Sequence, residues 1–131
     1  NALKVAEYLK SHPKVGWVRY AALADNEYNA LAQKMTRGHA SGILSFGISG
    51  GKEAGARFID ALQMILRLVN IGDAKSLACH PASTTHSQLS PEDQVKTGVT
   101  GGYVRLSIGI EHIDDIINDV AQALDKALAS K

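Results

Sequence analysis

The chain has 131 residues, 45% of them hydrophobic, a net charge of +1 and one cysteine. That length and composition suit one globular domain and exclude a disordered or collagen-like chain. The near-neutral charge leaves no electrostatic footprint for nucleic acid or an anionic membrane, no apolar run reaches the ~20 residues that span a bilayer, and Cys79 has no partner for an internal disulfide, so a cytoplasmic setting is expected.

Ala2, Val5, Ala6 and Leu9 have helical spacing from the first residues, in a chain that opens without Met. The expectation is that residues 1–131 are a single C-terminal domain fragment of a longer protein. Pro13 stops this first helix near Ser11. Val15 to Tyr20, β-branched and aromatic, reads as a strand. Asp25 is the expected N-cap of a helix with Tyr28, Leu31 and Met35 on one face. Gly42 to Ser49 is an apolar strand, turned by Gly50-Gly51 into a helix from Lys52 to about Leu66 that buries Ala54, Phe58, Ala61, Leu62 and Ile65. Two short strands are expected at Leu68 to Ile71 and Ser76 to Cys79, with Gly72-Asp73 turning between them.

From His80 to Gly102 runs a long connection with one small helix, capped by Ser90, started by Pro91 and ended before Gly98. Connections of that length in compact domains are often functional. In the last strand, Tyr103 to Ile110, Val104, Leu106, Ile108 and Ile110 alternate with Arg105, Ser107 and Gly109. The final helix has one apolar stripe, Ile113, Ile116, Ile117, Val120, Leu124 and Leu128, with Asp114 and Asp115 placed for its dipole. Alternating helices and strands indicate an α/β class with helices covering a sheet.

Three chemical readings fail on their residues. "GISGGKEAG" lacks the spacing of a phosphate loop, and Glu53 stands where Ser or Thr should follow the lysine. His80 and His86 have no third ligand in view, so no metal site is expected. Cys79 ends an apolar run, where cysteine serves as a small hydrophobe. Arg105 is sharper. An arginine opposite the core-facing side chains of a strand is ordinarily solvated, yet its planar fork is also the group that grips a carboxylate or phosphate. Asn70, Ser83, Thr84 and Thr85 add donors and acceptors without bulk, if the long connection folds back past the last strand.

The runs "NIGDAKSLACHPASTTHSQLSPEDQVKTGV" and "VRLSIGIEHIDDIINDVAQAL" resemble the C-terminal domain of the Cys/Met-metabolism family of pyridoxal-phosphate enzymes, most closely its O-acetylhomoserine sulfhydrylase branch. "NALKVAEYLKSHPKVGWVRY" and "GILSFGISGGKEAGARFIDAL" extend the resemblance over nearly the whole chain. It departs at Tyr20 to Leu23, "YAAL" where the family often has Tyr-Pro-Gly-Leu. The resemblance implies a small, mostly antiparallel (α+β) sheet with helices on one side. It implies an absent N-terminal domain that holds the cofactor, and a homo-oligomeric, usually tetrameric, parent. By motif position, Arg105 would grip the substrate's α-carboxylate, Asn70 would lie beside that group, and Thr85 would support the same corner. No lysine has a context like the family's Schiff-base segment, so no catalytic or cofactor-binding residue is assigned and the fragment alone is expected to be inactive. Other expectations left open are a lyase or synthase of the same family, a free-standing amino-acid-binding regulatory module, and a structural assembly domain.

Overall fold

The computed structural model describes residues 1–129. Helix α1 spans Ala2–Ser11, strand β1 Val15–Arg19, α2 Asn29–Thr36, β2 Ile43–Ile48, α3 Gly51–Ala61, β3 Leu66–Arg67, β4 Leu77–Cys79, α4 Pro91–Lys96, β5 Tyr103–Ser107 and α5 Ile113–Ala127; a single 3-10 turn, Pro81–Ser83, follows β4. The strands form one sheet in the order β1-β2-β5-β4-β3. Every pairing is antiparallel except β3 with β4, which is parallel.

Period-two alternation divides this sheet into two unlike faces. Phe46 lies opposite Val104 and Leu44 opposite Leu106, and with Ile48 and Ile108 they pack beneath the helices. Helix α1 adds Val5, Ala6 and Leu9, α3 adds Ala54, Phe58 and Ile59, and α5 adds Ile116, Val120, Ala123 and Leu124. Phe46 and Phe58 meet edge to face, centroids 5.5 Å apart. Two such rings, wholly out of water, contribute about 1.5–3 kcal/mol each in transfer free energy. The other face shows Trp17, Arg19, Ser45, Gly47, Tyr103, Arg105 and Cys79.

Most expected elements are present, with four corrections. Helix α3 stops at Ala61, well before Leu66. The cause is Asp119 of α5, whose carboxylate accepts from the backbone N–H groups of Gln63, Met64 and Ile65 at 2.8–2.9 Å. Those donors leave the helical ladder, and Leu62 turns extended. The next strand is therefore Leu66–Arg67, and Leu68, Val69 and Ile71 form an exposed loop. Helix α2 begins at Asn29 because Asn26 accepts from Tyr28 N–H in a preceding turn, while Asp25 pairs with Lys10; Tyr28, Leu31 and Met35 are exposed. Strand β5 ends at Ser107. Gly109 is pressed against Ala74, where an added Cβ would stand 2.3 Å from the carbonyl oxygen, and Ile110 N–H donates to that oxygen. Ile110 is thereby carried out of the core, to 83% exposure. The Ser90 cap of α4 is as expected, its hydroxyl accepting from Asp93 N–H. Tyr20 and Leu23 remain buried despite the missing Pro-Gly.

Candidate functional site: a helix-free sheet face around Arg105

Arg105 projects from the central strand β5 onto the face that α1, α3 and α5 leave uncovered. Register aligns Arg19, Ser45, Arg105 and Cys79 as one row across β1, β2, β5 and β4. Among the described residues no acidic side chain pairs with Arg105. Its Nη2 makes one long contact, 3.4 Å, to the carbonyl oxygen of Asn70. The fork is thus held lightly from one side, with donors to spare for a planar anion.

A cleft of about 300 Å³ opens beside it, lined by Arg105, Thr85, His86, Tyr103, Val69 and Cys79 among others. Arg105 and Thr85 therefore border one cleft, as their spacing could not establish. Thr85 Oγ1 is 2.8 Å from His86 Nδ1 at its rim. Asn70 joins differently from the expectation: its side-chain oxygen accepts from Ile71 N–H at 2.9 Å, so what it offers Arg105 is backbone. Ser83 and Thr84 do not line this cleft; they bond back to His80.

His80 explains how the hydroxyl-rich loop is held. The ring is buried, with Nδ1 2.8 Å from Ser83 Oγ and Nε2 2.7 Å from the carbonyl oxygen of Gly101. A carbonyl only accepts, so Nε2 carries the proton and Nδ1 accepts from the serine. Burial pushes the imidazole below its ordinary pKa, with Lys52 adding to the effect and the Gly101 carbonyl opposing it. The neutral ring fits a slot made by Gly55, where a Cβ would stand 2.4 Å from Nε2. Gln94 completes the hold, donating to the carbonyls of Ala82 and His86.

The Asn70 loop is pinned separately. Ser76 donates from N–H and hydroxyl to the Glu111 carboxylate, and its Oγ accepts from Gly109 N–H. Partial burial pushes the Glu111 pKa upward, but these hydrogen bonds outweigh it and hold it below the usual range. Gly72 N–H donates to Ser107 Oγ. Burial raises the Cys79 thiol, against the pull of neighbouring Arg105, so it stays protonated near neutrality. His80, Glu111 and Asp119 escaped the sequence reading as positioning groups; Gly55, one turn before Phe58, was the available sign of a tight neighbour.

No three His, Cys, Asp or Glu side chains gather among the described residues to hold a metal ion, and no helix there is long and apolar enough to cross a membrane. No lysine lines either hollow that Arg105 borders. An aldehyde cofactor would find no amine to join there, so these residues do not by themselves fit one.

Residues 1–125 match the family model described as Cys/Met metabolism PLP-dependent enzyme. An O-acetyl-L-homoserine sulfhydrylase of Leptospira meyeri is 54% identical over 125 residues, which are 95% of this chain and 28% of that protein. A homocysteine synthase of Schizosaccharomyces pombe is 46% identical over 127 residues, 97% of this chain and 30% of the relative. A crystal structure of a putative O-acetylhomoserine (thiol)-lyase from Campylobacter jejuni, containing N′-pyridoxyl-lysine-5′-monophosphate, superimposes with a TM-score of 0.86 at 48% identity, over 95% of this chain and 30% of that one. The chain thus spans under a third of the length of these relatives. With a matching model over nearly its whole length and the same fold in a solved relative, the chain belongs to the Cys/Met-metabolism family of PLP-dependent enzymes.

Proposed function

We propose that this chain is the substrate-carboxylate-binding C-terminal domain of a PLP-dependent O-acetylhomoserine sulfhydrylase, which makes homocysteine and acetate from O-acetyl-L-homoserine and sulfide. In that reaction the Cγ–O bond breaks, a C–S bond forms, and acetate leaves with the bonding pair. The bound cofactor supplies the electron sink for carbanions at the amino acid's carbons. Its lysine and phosphate cradle belong, on this reading, to an N-terminal domain of the same polypeptide. The whole is a cytoplasmic homo-oligomer, a tetramer as is usual in this family.

The observation that carries the reading is Arg105: a guanidinium without an acidic partner among the described residues, on the uncovered face of the sheet, beside a small cleft. Arg105 orients the amino acid through two parallel hydrogen bonds to its α-carboxylate, fixing which way the α-hydrogen faces. Thr85 borders the position such a carboxylate would take, and the Asn70 carbonyl steadies the arginine rather than the ligand. Orientation of this kind contributes several kcal/mol to a reaction barrier.

The test is the full-length enzyme assayed with O-acetyl-L-homoserine and sulfide, wild type against Arg105→Lys. A point charge does not reproduce the fork. Hydrogen bonds to charged groups contribute about 1.5–3 kcal/mol, so kcat/KM should fall about tenfold or more. Wild-type kinetics in the variant would refute the assignment.

A further inference from the structure

The two histidines that bracket the hydroxyl-rich loop are held in opposite ways. His80 has both ring nitrogens engaged inside the domain, and the Gly101 carbonyl fixes its proton on Nε2. His86 is fixed through its backbone alone. Its N–H donates to the Pro81 carbonyl at 2.9 Å, and its carbonyl accepts from Gln94 Nε2 at 2.7 Å. The half-buried ring borders the Arg105 cleft, with Nδ1 2.8 Å from Thr85 Oγ1. Among the described residues Nε2 has no hydrogen-bond partner, so no carbonyl there chooses the tautomer of this ring.

That choice decides what Thr85 shows to a ligand, because a hydroxyl has one proton to give. If Nδ1 is bare, Thr85 donates to it and turns only lone pairs toward the cleft. If Nδ1 carries the proton, the ring donates to Thr85 Oγ1 and the hydroxyl proton is free to point into the cleft. A carboxylate only accepts, so it suits the second arrangement and is repelled by the first. No acidic side chain among the described residues lines the cleft to compete for that proton. The two tautomers differ only in which ring nitrogen holds the proton, so the switch changes no charge.

We propose that His86 is a positioning residue: with its proton on Nδ1, it makes the Thr85 hydroxyl a second donor to the carboxylate that Arg105 grips. This rests on Arg105 holding the α-carboxylate at this cleft. Arginine supplies the charge, and the Thr85–His86 pair adds a neutral donor whose direction the ring sets.

The experiment uses the full-length holoenzyme and reads kcat/KM for O-acetyl-L-homoserine over that for its α-carboxamide, sulfide being the acceptor. Wild type is compared with Thr85→Val, His86→Asp, His86→Asn and the double variant Thr85→Val/His86→Asp. Thr85 is exposed and His86 half-buried, so these changes leave the core untouched. Thr85→Val keeps the shape without the hydroxyl and should lower the ratio about tenfold. His86→Asp offers Thr85 only an acceptor and should lower it as far. In the double variant the two losses should coincide rather than multiply, since one hydroxyl proton is at stake in both. His86→Asn has an amide N–H to stand in for Nδ1–H and should recover most of what Asp loses. An unmoved ratio in Thr85→Val, an Asp loss that persists in full without the hydroxyl, or an Asn loss as deep as that of Asp would each overturn the inference. Arg105→Ala separates it from the reading beneath: the preference for acid over amide should collapse in that variant whatever Thr85 and His86 do, and its survival there would instead remove the carboxylate assignment.

Discussion

The two faces of one sheet are built from alternate residues of the same strands, yet they obey opposite rules. Beneath the helices, Leu44, Phe46, Val104 and Leu106 are essentially out of water and belong to one apolar cluster. On the reverse face, Ser45, Arg105 and Tyr103 stand one residue away in sequence and border open clefts. The first face holds the domain together; the second carries arginines for which the described residues supply no acidic partner. A β5 shifted by one residue would exchange the two sets, which is why Arg105 depends on the core for its position.

Substitutions on the two faces should therefore separate stability from activity. The largest effect belongs to the covered face. Phe58→Ala removes a ring from between α3 and the sheet and should cost about 3–5 kcal/mol of unfolding free energy. Denaturant unfolding measures this, and a loss below 1 kcal/mol would mean that α3 packs elsewhere. On the uncovered face, Arg105→Lys should leave unfolding within about 0.5 kcal/mol of wild type, while lowering turnover as set out above.

The boundary between the faces has its own probe in His80. Its pKa is depressed in the folded chain by burial, so the unfolded chain binds the extra proton first as pH falls. The stability it contributes is thus fully present above the unfolded value of about 6.5 and is lost as pH drops through the lower folded value. Hydrogen-exchange protection around Pro81–Ser83 and Gly101, taken relative to the intrinsic exchange rate at each pH, should fall on acidification over that range. Protection unchanged down to pH 5 would show that the ring does not hold the loop. The smallest effect is expected for Asn70→Ala. Its contact with Arg105 is through the backbone and survives truncation, so only a modest rise in KM should follow, by local loosening at Ile71. A large loss in kcat would mean that the amide itself reaches the substrate.

What was legible in the sequence was what short-range periodicity controls. Alternation in "YVRLSIGI" put Arg105 opposite the core, the stripe of α5 packs on the core, and Ser90 with Pro91 start α4. What escaped depends on partners far along the chain. Nothing near Leu62 announces that Asp119 will take three backbone donors there and end α3. Tyr28, Leu31 and Met35 share a helix face in the sequence, but the described residues bring no element onto that stripe. At the site, Thr85 and Arg105 were named together, whereas the row that adds Arg19 and Ser45 arises only from strand register.

Whether Arg105 reads the carboxylate itself is tested most directly by comparing O-acetyl-L-homoserine with its α-carboxamide in the full-length enzyme, wild type against Arg105→Ala. If the fork makes charge-assisted bonds to the acid, the wild type should prefer acid over amide by about tenfold or more, and that preference should collapse in the variant. An undiminished preference for the acid without the guanidinium would contradict the account.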